Sequence, residues 1–293
     1  MNNTDNLEGL AQQLDQSENY QVLRKLTPPG NFQPSDGKSL HRVCVIDTET
    51  TGLDTSQCEI IELGYQIIEF DSQGFFYKVL ASKNFLQEPK GEITAEVTQV
   101  TGISIEDVKG HAIPWGEVEK DIDGVQLLIA HNAGFDRPVL ERFNPVFIDK
   151  VWGCSVAQID WFNLAKVSSR SQEFLCWKVG KFFYDAHRAL DDVQALTQLL
   201  QQPISEPPMP ALSFLLQTVR LKKVLIKATG AAFEVKDRLK SRSYHWNASE
   251  RVWQKVLDAS LQKDELAWLI DNNIPNPDII TLKATDTFSV RAS

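Results

Sequence analysis

RVCVIDTETTG, residues 42–52, begins as a short β-branched apolar run and ends on two carboxylates, Asp47 and Glu49, with one residue between them. Such a run has the composition of a strand buried on both faces. Side chains two apart on a strand point to the same side, so Asp47 and Glu49 project together from its end. Carboxylates held that close repel unless a cation lies between them. Divalent ions bound through oxygen are the natural partners, and metal held by paired carboxylates is the apparatus of displacement at phosphorus. Two acids at a strand end also suit a solvated turn, so the rest of the chain has to decide.

Outward from this strand, EIIELGYQIIEFD (59–71) and GFFYKVLAS (74–82) read as two more, joined by a hairpin turn at 71–74, so the first strand opens an antiparallel meander. Helical periodicity appears over 94–100 and 115–122, and VQLLIA (125–130) is a further buried strand. AHNAGFD (130–136) then places Asp136 at a strand-to-helix junction, at the same sheet edge as Asp47 if the two strands run parallel. Taken alone, Asp136 is explained as well by a helix cap. The following helix should begin near Phe135, with Pro138 in its first turn. An extended segment at 151–154 and helices over 155–164 and 174–182 follow.

The last helix of this unit, RALDDVQALTQLL (188–200), carries its apolar face on Ala189, Val193, Leu196 and Leu200. Asp192 lies beside that face and Asp191 on the wetter side, so Asp192 is the candidate ligand. His187 precedes the helix and can reach the same place from a loop, whereas Tyr184 reads as a packing residue. This order of elements predicts an α/β layer fold with a mixed sheet.

IDTETTG, AHNAGFD and HRALDD, in this order, resemble the DEDDh 3′-to-5′ exonucleases, and among them the DNA polymerase III epsilon-like enzymes; the likeness covers roughly residues 42–200. The resemblance implies an RNase H-like exonuclease fold with a central mixed five-stranded sheet flanked by helices. It implies that Asp47, Glu49, Asp136 and Asp192 hold two Mg²⁺ or Mn²⁺ ions and that His187 is the general base, a task suited to an imidazole. Thr48, Thr50, Thr51, Gly52 and Leu53 correspond to the segment that holds the 3′-terminal nucleotide, and His131 and Asn132 to positions that support the site or touch phosphate. A sister branch has Tyr where this chain has Arg188, which places the chain with the histidine branch. VTQVTGIS (97–104) departs from the family, with Thr101 where many relatives have His.

The activity so implied is metal-dependent hydrolysis of terminal phosphodiesters to nucleoside 5′-monophosphates, on single-stranded or frayed DNA with a free 3′ end. RNA 3′-end trimming is the alternative, because the same residues serve both and only the approach to a 2′-hydroxyl separates them. An inactive nucleic-acid-binding or interaction subunit would show a missing carboxylate or histidine. A DNA polymerase or repair assembly is the expected partner.

Residues 1–40 read as an extension containing a helix near 7–15, 41–201 as the exonuclease domain, and the proline-marked QPISEPPMP as a linker over 202–210. Residues 211–293 read as a small α+β module. The chain is acidic overall, with a formal charge of -9, yet 220–255 is rich in Lys and Arg. Lys236, Lys240, Arg242, Tyr244, Trp246 and Arg251 in AAFEVKDRLKSRSYHWNASERVWQKV (231–256) could track phosphate and stack bases, or could equally be the core and solvated face of a small module. The 4 cysteines show no paired spacing, so buried free thiols are expected. MNNTDNLEGLAQQLDQ lacks the basic start and apolar core of a signal peptide, and no long apolar stretch follows, which predicts a cytoplasmic protein.

Overall fold

The structure is a computed structural model that describes residues 3–34 and 39–292. Helix α1 (Asn3–Asp15) is followed by β1 (Arg24–Lys25), and then by a meander of β2 (His41–Thr50), β3 (Ile60–Phe70) and β4 (Phe76–Leu86). Three short helices, α2 (Ala95–Thr101), α3 (Ile105–Val108) and α4 (Trp115–Ile122), precede β5 (Leu127–Ala130), α5 (Ala133–Phe143) and β6 (Trp152–Cys154). Next come α6 (Ser155–Gln158), α7 (Trp161–Leu164), α8 (Gln172–Leu175), β7 (Phe182–Phe183), α9 (Ala189–Leu200) and α10 (Ala211–Val219). The remainder is β8 (Lys223–Lys227), α11 (Lys236–Ser241), β9 (His245–Asn247), β10 (Val252–Asp258), α12 (Gln262–Asp271) and β11 (Asp278–Thr281).

Five strands in the order β4-β3-β2-β5-β6 form the main sheet, antiparallel across the meander and parallel from β2 through β5 to β6. The period of two sorts β2 between two cores. Val43 and Val45 face α9 and α10 through Val193, Leu196, Leu212 and Leu215, while Cys44 and Ile46 face α4 and α5 through Val118, Ala133 and Val139. Asp47 and Glu49 continue the side of Val45, toward α9. Gly153 on β6 lets α10 approach closely, since a Cβ there would lie 2.8 Å from the Leu215 side chain.

Several local expectations change. Helix α5 starts at Ala133, so Pro138 lies inside it instead of in the first turn and denies the helix the bond to the Gly134 carbonyl. The helix expected over 155–164 is two short ones, because the Asp160 side chain accepts from Asn163 N and caps a new start. The helix expected over 174–182 widens into a π-turn at Cys176–Gly180 and stops where Lys181 turns left-handed at φ 57°. Residues 202–210 fold back on themselves, with Ile204 N donating to Met209 O (3.1 Å) and Pro203 bridged to Pro210. Beyond that loop α10, expected in the C-terminal module, buries Ala211, Leu212, Leu215 and Leu216 in the same core as α9.

A second, antiparallel sheet in the order β11-β8-β10-β9 surrounds its own core of Val224, Ile226, Leu239, Leu257 and Leu269. The chain then returns to α5. Arg137, fully buried, donates to the carbonyls of Thr287 (2.8 Å), Ile148 (3.1 Å) and Thr285, and its Nε meets Glu141 at 2.7 Å. Removing one partner of a buried pair leaves the rest uncompensated. Arg137→Ala should therefore cost about 3 kcal/mol, seen as a lower denaturant midpoint; an unchanged midpoint would show that this staple is dispensable. The four cysteines are free and buried. Among the described residues no helix is long and apolar enough to cross a membrane.

Candidate active site

The parallel pairing of β2 with β5 brings Asp136, just beyond β5, to the end of β2 that carries Asp47 and Glu49. Helix α9 crosses the same end from the other layer. Carboxylate oxygens of Asp47, Glu49 and Asp192 lie within 4.8 Å of one another. Asp136 stands apart from that trio, held by Thr48, whose backbone N (3.1 Å) and hydroxyl (2.9 Å) both donate to its Oδ1. Asp47, Asp136, Asp192, His187, Tyr184, Gln172, His131 and Asn132 all line one open cleft of about 300 Å³.

Burial pushes the Asp47 carboxyl well up, and the charges of Asp136, Asp192 and Glu49 push it further. Burial, with the charges of Asp192, Glu62 and Asp136, raises Glu49 to about 8. Asp136 rises to about 7 by burial, against the bonds from Thr48, and Asp192 rises by burial too. The protein alone supplies too little positive charge here to hold these acids ionised. A set of hard carboxylate oxygens converging on one point fits a divalent cation such as Mg²⁺ or Mn²⁺.

His187 sits on the exposed rim in the left-handed region, φ 67°, and its backbone N donates to Asp192 Oδ2 at 2.8 Å. Tyr184, read from sequence as packing, touches the site directly: its hydroxyl donates to Asp192 Oδ1 (2.8 Å), and Gln172 Nε2 donates to both (2.9 and 3.0 Å). Sequence reasoning missed this pair, because nothing in the spacing tells which distant side chains will complete the bonds of an acid on a helix. Partners of this kind orient a ligand and tune its affinity. Tyr184→Phe should weaken Mn²⁺ binding about tenfold, measurable by calorimetric titration; an unchanged affinity would mean Asp192 is held well enough by the others.

The other residues singled out in the sequence are more dispersed. Thr50 donates to Gly52 O (2.7 Å) and the Thr51 hydroxyl accepts from Glu59 N (3.0 Å), which staples the turn that presents Leu53, 88% exposed. Both ring nitrogens of His131 are engaged, Nδ1 with Ser155 Oγ (2.7 Å) and Nε2 with the Arg170 carbonyl (2.9 Å). The Arg170 carbonyl can only accept, so Nε2 donates to it, and burial pulls the imidazole down to about 4. Those contacts give His131 a structural place at the cleft wall. Asn132 accepts the first amides of α5 on its carbonyl oxygen.

None of the six module residues lines the carboxylate cleft. Tyr244 is buried in the module core and offers no face to a base, and Arg242 is committed to Glu265 (2.9 Å) and to the Trp268 ring. Lys236 lies over Phe233 and Lys240 over Trp253, while Arg251 and the half-exposed Trp246 remain open.

The family model of RNase T-type exonucleases, described as "Exonuclease", matches residues 44–200. Among curated proteins, a DNA polymerase III PolC-type from Thermotoga petrophila is 34% identical over 193 residues, 61% of this chain but only 12% of that protein. A DNA polymerase III subunit epsilon from Treponema pallidum is 30% identical over 169 residues, 54% of this chain and 74% of that one. Among solved structures, E. coli Exonuclease I in complex with a dA16 oligonucleotide aligns at 16% identity and TM-score 0.48, over 78% of this chain and 67% of the other.

Proposed function

The chain belongs to the exonuclease family, and on that premise we propose that it hydrolyses the terminal phosphodiester of a nucleic acid 3′ end and releases a nucleoside 5′-monophosphate. One observation carries the proposal: carboxylate oxygens of Asp47, Glu49 and Asp192 converge within 4.8 Å at an open cleft lined by Asp47, Asp136, His187 and Asp192. In this reading Asp47, Glu49, Asp136 and Asp192 would hold two divalent ions, Mg²⁺ or Mn²⁺. Such ions, when bound, lower the pKa of the attacking water and stabilise the leaving 3′-oxygen.

His187 takes the water's proton from the rim, where the bond from its backbone N to Asp192 ties base and ligand together. The water oxygen bonds to phosphorus, the P–O3′ bond breaks, and the freed 3′-oxygen picks up a proton. Thr48 keeps Asp136 aimed at the cleft. The turn at Thr50–Leu53 and Asn132 then meet the terminal nucleotide. Lys236, Lys240, Trp246 and Arg251 on the module are a second, weaker candidate surface for the strand. DNA is the favoured substrate, and a polymerase assembly the partner class that fits the relatives' names.

The deciding assay gives the purified protein Mg²⁺ or Mn²⁺ with 5′-labelled single-stranded DNA, duplex DNA and RNA. A ladder shortening one nucleotide at a time, abolished by chelator, is expected, with DNA cut faster than RNA. Cleavage that persists in chelator, or proceeds from the 5′ end, would overturn the proposal.

A further inference from the structure

Glu62 of β3 is fully buried and sits directly opposite Glu49 in the sheet register. Like charges facing each other across strands are unfavourable, so something must hold this carboxylate in place. Four nitrogens of three residues converge on it. Arg188 NH2 meets Oε1 at 2.7 Å with its Nε at 3.2 Å from both oxygens, Asn84 Nδ2 donates to Oε1 at 2.7 Å, and the backbone N of Ala189 donates to Oε2 at 2.9 Å.

Ala189 is the first residue of α9, so the Glu62 carboxylate also caps that helix where its unpaired amides and dipole favour an anion. Two residues along the same face of β3, Gly64 leaves room for the helix to press down. A Cβ at Gly64 would lie 2.5 Å from Ala189 C and Leu190 N. The short stretch 187–189 is thus anchored at both ends, His187 N on Asp192 (2.8 Å) and Ala189 N on Glu62 (2.9 Å), with the guanidinium of Arg188 clamped between. Any shift of this turn moves His187 and, a turn further along α9, Asp192.

We propose that Glu62 and Arg188 are positioning residues that fix the first turn of α9 and so set His187 and Asp192 against Asp47 and Glu49. This inference rests on the exonuclease reading above. Arg188 forks onto both carboxylate oxygens, a contact that a lysine ammonium cannot reproduce. Neither Glu62 nor Arg188 lines the carboxylate cleft, so the pair acts through the backbone it holds.

The test compares Arg188→Ala, Arg188→Lys and Glu62→Gln with the wild-type full chain in two measurements. In the metal-free protein, amide hydrogen exchange at His187 and Ala189 should quicken about tenfold in Arg188→Ala and Glu62→Gln while β2 and β3 stay protected. In turnover on a DNA 3′ end, kcat should fall roughly 10- to 100-fold with KM within about threefold of wild type, and Arg188→Lys should recover part of the loss. Unchanged exchange at His187 and Ala189 would overturn the inference whatever the activity. So would faster exchange with kcat untouched, or exchange rising over the whole sheet, which marks plain destabilisation. A wild-type protein that cuts nothing would instead sink the functional reading, and the exchange experiment would still decide the latch.

Discussion

Asp47→Asn is expected to abolish cleavage and, in metal-free buffer, to raise the melting temperature. Both effects come from the same charge. Burial and four acidic neighbours push the Asp47 carboxyl well up, and Glu49 and Asp136 are driven to about 8 and about 7. An acid whose folded pKa lies above its unfolded value contributes its full stability below the unfolded pKa, about 4 for a carboxylate, and loses it as pH rises through the folded value. The wild-type protein without metal should thus lose stability steadily between about pH 4 and pH 8. An amide of the same shape removes one charge from the cluster, so the variant's gain should be absent at pH 4 and clear at pH 7.5, on the order of 3 °C for each kcal/mol of repulsion relieved.

Divalent metal reverses the order. At a hundred times its Kd, Mn²⁺ should stabilise the wild type by about 2.7 kcal/mol, more at pH 8 than at pH 5, and should leave Asp47→Asn nearly unmoved. Activity should fall about a thousandfold or more, roughly 4 kcal/mol of barrier. Calorimetric melting across pH, with and without Mn²⁺, reads the first effects and the labelled-strand assay the last. A variant that melts like the wild type at every pH, or that still cleaves, would remove Asp47 from the centre of the site.

What was legible in the sequence is what obeys a period. The alternation in VCVIDTE set Asp47 and Glu49 on the side of Val43 and Val45, and the helical period of 188–200 preferred Asp192 to Asp191; the structure brings those three carboxylates within 4.8 Å. Long apolar strands and the main sheet followed from the same signal. Features set by a single distant contact did not follow. Tyr184 meets Asp192 across eight residues, and Glu62 meets Arg188 across 126, with no repeat to announce either. Prolines misled in one place. Four of them over 203–210 suggested a break between units, yet the chain there turns back and delivers α10 into the first core. In the module the charge pattern left two readings open, and the structure commits Arg242 and Tyr244 to internal contacts.

The second large effect falls on His187, the proposed base. His187→Ala should lower kcat by about 10² to 10⁴ while leaving Mn²⁺ affinity and melting temperature close to those of the wild type. The separation follows from the geometry. The hydrogen bond that His187 gives Asp192 comes from its backbone N, which alanine keeps, so Asp192 stays oriented. The side chain is exposed on the rim and contributes little to the core. Alanine does meet the left-handed backbone at φ 67°, and His187→Asn, a residue that tolerates that region, controls for it. Both variants should be slow and both should bind metal, since neither removes a carboxylate. The same exposure supplies a sharper test: a small imidazole from solution can reach the open cleft in the alanine variant and accept the proton in place of the lost ring. Added imidazole should therefore restore part of the rate in His187→Ala and do nothing for Asp47→Asn, whose defect is in the ligands. Full activity in His187→Ala would assign the proton transfer to another group, and a matching loss of Mn²⁺ binding would make His187 a ligand and not a base.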